Sequence, residues 1–271
     1  MYSAAKQFSE ETGKKPKTFA LLYEGTDWGR SSAQYAKKFF PEMGCKLVLE
    51  ESYVSGMSDF TPQILKMKAT KPDLLIMASY TPDHILFNKQ QMEQKLYLPC
   101  GLWSVGAGTE DPAFYKAVPQ KAVEYMFVQD DWDITAPQKP WYPELNEKVK
   151  ARLGYGLNAY TAVGYASMYL VKDVLERAGS SNRGKIRDAI AATDITGKGC
   201  KRIEKRSGGK VFCPALIRGI SRIKFDEQGQ NTFSHGMITQ NQNGKKIPLY
   251  PVSSRPAGAK VTWPLPTWEE R

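Results

Sequence analysis

The sequence predicts an α/β fold built on a mostly parallel sheet. Three observations carry this: short apolar runs bounded by turn residues, amphipathic stretches at helical spacing between them, and regular alternation of the two along the first half of the chain. Consecutive strands joined through a helix need a crossover, and a crossover makes the strands parallel.

The first apolar run, Thr18-Phe19-Ala20-Leu21-Leu22-Tyr23, reads as a buried strand ended by Glu24-Gly25-Thr26-Asp27. A helix is predicted over 29–43, with Ala33, Tyr35, Ala36, Phe39 and Phe40 at helical spacing and Gly44 as its C-terminal stop. A strand at 46–50, a helix opening at Asp59-Phe60-Thr61-Pro62 and a strand over 73–79 follow. The rhythm continues with a helix over 82–94, a strand at 98–102, a helix at 111–115 and a strand at 124–128. The acidic, Pro-containing segment 130–137 then marks a domain boundary. Helices are predicted from about residue 142, over 158–178 and over 181–192, the second carrying apolar residues all round and therefore expected to be buried on several sides. Residues 220–225, the turn Asp226-Glu227-Gln228-Gly229 and residues 236–240 read as strand, turn and strand. The Pro- and Trp-rich end cannot be helical and is expected to anchor through Trp263 and Trp268.

Composition excludes several function classes. A chain of 271 residues buries a core without staples, and no stretch of 18 apolar residues occurs. Residues Met1 to Phe8 show neither the charged nor the apolar segment of an export signal. The net charge of +10 comes from dispersed Lys and Arg, densest over 198–210 among glycines, and motifs for reading nucleic acid are missing, so no nucleic-acid partner is expected. Cys45, Cys100, Cys200 and Cys213 lack the spacing of a metal site, and only His84 and His235 are there to help them. No metal is expected. Cys200 and Cys213 bracket a basic, glycine-rich loop, either as a disulfide in an oxidising compartment or as separate thiols; Cys45 and Cys100 read as core thiols. The sequence has no nucleophile elbow, phosphate loop or dinucleotide fingerprint; Gly106-Ala107-Gly108 lacks the third glycine. Catalytic residues and cofactors are thus expected to be none.

Ligands of open α/β sheets bind beyond the carboxyl ends of the strands, so the loops after Tyr23, Ser79 and Leu102 are expected to converge, bringing Trp28, Tyr80, Trp103 and Ser104 to one cleft. Asp27, Asp83 and His84 fall near the same rim, His84 being expected on a helix surface.

The run from Phe19 to Gly29, the helix start Ser58-Asp59-Phe60, Pro72-Asp73, Leu175-Glu176-Arg177-Ala178-Gly179 and Lys224-Phe225-Asp226-Glu227-Gln228-Gly229 together resemble the type I periplasmic binding proteins, specifically the branched-chain amino acid (leucine-binding) family. The resemblance spans nearly the whole chain. It implies a clamshell of two Rossmann-like lobes with parallel sheets, here with the N-terminal lobe incomplete: residues 1–16 as a crossover helix left from that lobe, 17–129 as a complete ligand-binding lobe to which 235–252 return, 130–216 as the remainder of the first lobe, and 217–271 as return strands and tail. On the order of 100 residues, one small domain, would precede the chain.

The same resemblance implies an extracytoplasmic, periplasmic receptor that delivers a small-molecule ligand to the membrane subunits of an ABC transporter. Closure needs two lobes, so the chain alone is expected to bind weakly or not at all. In that family aromatic positions matching Trp28 and Tyr80 line the cleft. Tyr160 and Tyr165, near the start of the long helix, are placed to meet the ligand from the opposite lobe, with core packing expected for at least one of them. The position matching Trp103 is acidic where α-amino acids are bound; an indole there points instead to an aromatic or aliphatic acid, an amide, or a cation held by the rings. A ligand-sensing domain of a regulator and, further off, an α/β enzyme are the alternatives.

Overall fold

The computed structural model describes residues 1–135, 142–196, 204–206, 210–212, 216–217 and 220–271. Cys200 and Cys213, the expected disulfide partners, lie outside the described residues. The chain divides into two compact units, one of Met1–Asp130 with Met237–Arg271 and one of Asp131–Gly236.

In chain order the first unit contains α1 (Tyr2–Thr12), β1 (Thr18–Glu24), α2 (Asp27–Phe39), β2 (Lys46–Tyr53), α3 (Thr61–Thr70), β3 (Leu74–Ala78), α4 (Thr81–Glu93), β4 (Leu102–Val105), α5 (Pro112–Ala117), α6 (Gln120–Val123) and β5 (Phe127–Asp130). The second unit holds α7 (Tyr142–Leu153), α8 (Ala159–Ala178), α9 (Arg183–Ala191), β6 (Asp194–Thr196), β7 (Glu204–Arg206), β8 (Lys210–Phe212) and β9 (Arg222–Lys224), after which β10 (Met237–Gln242) and β11 (Lys245–Tyr250) rejoin the first.

The sheet of the first unit has the order β11-β10-β5-β4-β3-β1-β2. Strands β1 to β5 pair in parallel and β10 and β11 add antiparallel. Both faces are covered, and the period of two sorts the side chains between them. Phe19 and Leu21 of β1, Ile76 of β3 and Trp103 of β4 join a core with Phe8 of α1 and Ala33 and Ala36 of α2. Ala20, Leu22, Leu75, Met77 and Leu102 face the opposite way, onto Ile64 of α3, Phe87 of α4 and Phe114 of α5. Cys45 and Cys100 are buried free thiols, pushed up to about 12 mainly by burial. The tail lies on this unit: the Trp263 indole donates to the Lys14 carbonyl and that of Trp268 to the Leu96 carbonyl, both at 2.8 Å.

Several expected boundaries move. Gly101 and Tyr125 have left-handed backbones (φ +82° and +63°), so β4 and β5 start after them, later than the expected strands. Residues 220–225 and 236–240 do not pair with each other. Strand β9 pairs with β6 through Ile195 and Ile223, which share a small core with Leu216, whereas β10 pairs with β5 and β11. The second unit therefore runs to Gly236 and does not end at residue 216. Helix α1 contributes Ala4, Ala5 and Phe8 to the first core, so residues 1–16 go with that unit. Pro248 lies within β11, tolerated because this strand is at the sheet edge.

The second unit is poor in sheet. Among the described residues it has the ladders β6–β9 and β7–β8. Trp132, Tyr142, Leu145, Leu157, Ala162 and Ile217 form its main core, with the Tyr142 hydroxyl donating to the Ile217 carbonyl. Helix α8 is capped by a reciprocal bond between Asn158 and Thr161. It is not buried all round as expected, because its apolar positions are split: Ala162 and Val174 turn inward while Met168, Val171 and Leu175 stay 67%, 46% and 44% exposed.

Helix α2 approaches the end of β1 so closely that a Cβ on Gly29 would stand 1.9 Å from the Glu24 carbonyl oxygen. Backbone cannot swing aside, so Gly29→Ala is expected to cost about 1–3 kcal/mol or more, read as a lower urea midpoint. An unchanged midpoint would show that α2 does not pack this tightly.

Candidate functional site

Strand β1 leads through α2 to β2 on one side and has β3 on the other, so the crossover direction reverses between β1 and β3. Such a switch point opens a crevice beyond the carboxyl ends of the two strands. Their register, with Tyr23 opposite Ala78 and Ala78 opposite Val105, brings the three following loops to one level.

Two of the predicted residues meet there. Trp28, in the first turn of α2, and Tyr80, the N-cap of α4, place their ring centroids 5.2 Å apart at 32°. Trp28 is half-buried and Tyr80 is 38% exposed. The indole lies on Gly106: a Cβ there would be 2.3 Å from Trp28 Cζ2, and the glycine has φ +80°. Any other residue at 106 would lift the indole and strain the backbone. The glycine is the floor of the rim, and its signal in the sequence is the Gly106-Ala107-Gly108 cluster after a strand.

Hydrogen bonds beneath the rings fix the loops. The Tyr53 hydroxyl donates to Ser79 Oγ at 2.7 Å, and Ser79 Oγ donates to the Tyr80 carbonyl. The buried Asp83 carboxylate accepts from Ser55 Oγ and from the Gly56 amide, both at 2.9 Å, which ties the loop after β2 to the start of α4. Glu24 accepts from the Thr26 amide.

Trp103 and Ser104 are corrections. Strand β4 runs through Val105, so both lie inside it and are 0% exposed. The Trp103 indole donates to the Cys100 carbonyl at 2.9 Å and stacks on Phe127 with centroids 4.5 Å apart, deep in the core. Ser104 Oγ is 2.9 Å from His84 Nε2, and Asn88 Nδ2 contacts His84 Nδ1 on the other side. His84 is thus wholly buried and not on the helix surface, and it props the turn above it: a Cβ on Gly108 would come within 2.6 Å of its ring. The helical pattern missed it because α4 buries polar residues, Asp83, His84, Asn88 and Gln91, on its inner face. Tyr160 is half-exposed in the first turn of α8, in the second unit. A cavity of about 390 Å³ lies along the α2 face one turn from Trp28, bordered by Ser32, Tyr35, Phe39, Tyr2, Val105 and Gln129.

The first unit is thus an open α/β sheet with an aromatic rim at its switch point, the place where ligands of such sheets commonly bind. The comparisons give the family. The sequence profile of the periplasmic binding proteins matches residues 1–216, and the chain belongs to that family, which is one of binding proteins and not of enzymes. Leu/Ile/Val-binding protein homolog 7 of Brucella abortus is 27% identical over 254 residues, 91% of this chain and 58% of that protein. Homolog 8 from the same organism is 24% identical over 88% of this chain and 56% of its own length. The chain thus spans a little over half the length of these relatives. Among solved structures, the leucine-binding protein LivK of Thermotoga maritima matches with a TM-score of 0.69 at 20% identity, covering 92% of this chain and 63% of its own. A solute-binding protein of an R. palustris ABC transporter in complex with benzoate matches with a TM-score of 0.70 at 14% identity, over 92% and 61%. These likenesses show the fold. Among the described residues no helix is long and apolar enough to cross a membrane.

Burial holds His84 down at about 4 from an ordinary 6.5. A depressed histidine stabilises the fold fully above its unfolded value and loses that contribution as pH falls from about 6.5 toward 4. His84→Gln, which keeps hydrogen-bonding capacity toward Ser104 and Asn88, is expected to remove about 3 kcal/mol of acid sensitivity across that window, measured as urea midpoints against pH. Coincident pH profiles for parent and variant would contradict it.

Proposed function

We propose that the chain forms the ligand-capturing part of an extracytoplasmic solute receptor serving the membrane subunits of an ABC importer, and that its rim covers a small apolar or aromatic ligand bearing a carboxylate or an amide. The observation that carries this reading is the Trp28–Tyr80 ring pair seated on Gly106 at the sheet's switch point. Two rings on rigid loops supply apolar area at little entropic cost, and backbone amides and the Tyr80 hydroxyl are at hand for a polar end. Capture works by population shift: a ligand held by the rim favours the form that the transporter recognises.

The rim favours an acid or amide over an α-amino acid. An ammonium needs a carboxylate partner in a closed site. Among the described residues at the rim, Glu24 is engaged with the Thr26 amide, Asp83 with Ser55 and Gly56, and Asp27 is exposed beside Arg30. With Trp103 in the core, the position expected to carry an acid supplies no side chain to the rim. The names of the relatives point to Leu, Ile and Val, and one structural neighbour holds benzoate, so the two ligand classes make a direct contest.

Thermal-shift titrations with millimolar benzoate, benzamide, isoleucine and an aliphatic amine test it, since a ligand stabilises by mass action. The acid or amide is expected to raise the midpoint and isoleucine and the amine to do so less. Trp28→Ala is expected to weaken binding about tenfold, the equivalent of about 1.4 kcal/mol. A larger shift with isoleucine would overturn the ligand class, and undiminished binding by Trp28→Ala would overturn the site.

A further inference from the structure

A second polar cluster in the first unit is built from residues other than the rim's. Asp130 ends β5, Glu110 sits just before α5, Lys246 is on edge strand β11 and Thr239 is on β10. The Lys246 ammonium is 2.8 Å from one Glu110 oxygen and 3.0 Å from an Asp130 oxygen. Thr239 Oγ1 donates to the other Asp130 oxygen at 2.8 Å. The side chains of Asp130 and Glu110 are 0% and 4% exposed, and that of Lys246 17%.

These contacts dictate a proton count. A single ammonium neutralises a single carboxylate, and here two buried carboxyl groups surround one ammonium. The buried group is therefore balanced when the two acids share one proton. Tyr115 of α5, whose hydroxyl donates to Asn241 of β10, is a further titratable group facing it.

The place of the cluster in the chain gives that proton a consequence. Asp130 is the last residue before the chain passes into the second unit, and Met237, its partner in the β5–β10 ladder, is the first after the chain returns. We propose that Asp130 and Glu110 form a proton-binding site that fastens β5 to β10 where the chain leaves and rejoins the sheet, tight while the pair holds its proton and looser once it is lost. The sign follows from burial, which, with Glu110 alongside and against the pull of Lys246, holds Asp130 well above the usual carboxylate range. The folded chain keeps this proton better than the unfolded one, where an aspartate titrates near about 3.9. The contribution is full below about pH 4 and is lost as pH rises through the folded value. His84 acts in the opposite direction, so the readout must be local and compared with variants.

Amide hydrogen exchange of the full chain at about pH 5 and about pH 8, corrected for intrinsic exchange, provides that readout. In the parent, protection of residues 129–130 and 237–239 is expected to fall about tenfold or more between the two, a factor of ten for each unit by which Asp130 is raised. Asp130→Asn and Glu110→Gln each remove the shared proton while keeping a hydrogen-bonding group, so both are expected to flatten this change and leave the β1 amides as in the parent. The second variant guards against misfolding of the first. Equal pH dependence in parent and variants, or parent protection that rises with pH, would overturn the proposal.

Discussion

Burial of β1 on both faces is the constraint on which the first unit depends. Phe19 and Leu21 enter one core and Ala20 and Leu22 the other, so a slip of one residue would exchange every side chain between the two helix layers. The parity of β3 and β4 matches that of β1 in register. Their ends therefore rise to one level, and the loops beyond them are held in step. The rim is a product of this alignment: Trp28 and Tyr80 meet because the strands that carry them are locked side by side, and Gly29 and Gly106 allow the approach.

This constraint also explains how much was legible in the sequence. Strands β1 and β3 are continuous apolar runs with Gly, Asp or Pro at their ends, and α2 has a clean apolar stripe, so these elements and the pair Trp28 and Tyr80 could be placed from residues alone. Trp103 could not. Its run begins after Pro99, Cys100 and Gly101, and only the left-handed backbone of Gly101, invisible in the sequence, starts the strand late enough to carry Trp103 and Ser104 inward. His84 was misplaced for a related reason: a helix whose inner face carries hydrogen-bonded polar side chains has no apolar stripe to read. The β9 and β10 segments look like a hairpin locally, and only partners distant in sequence, Ile195 for Ile223 and Gln129 for Ile238, separate them into different units.

The two buried titratable sites sit under opposite demands. His84 is held neutral between Ser104 and Asn88 beneath the rim, and acid works against it. Asp130 and Glu110 surround one ammonium and are balanced by one proton, and base works against them. The second unit is built differently, with little sheet among the described residues and an α8 face on which Met168, Val171 and Leu175 remain exposed. The chain spans 58% of its Brucella abortus homolog 7 relative, and the functional reading rests on the first unit.

The most direct test of that reading is a two-dimensional proton–nitrogen NMR titration of the tryptophan indole resonances, assigned by single Trp→Phe variants, with benzoate as ligand. The Trp28 indole signal is expected to move and saturate while those of the core residues Trp103 and Trp263 stay in place. Movement of the Trp103 signal with Trp28 unchanged would contradict it, because the ligand would then enter the core and not the rim.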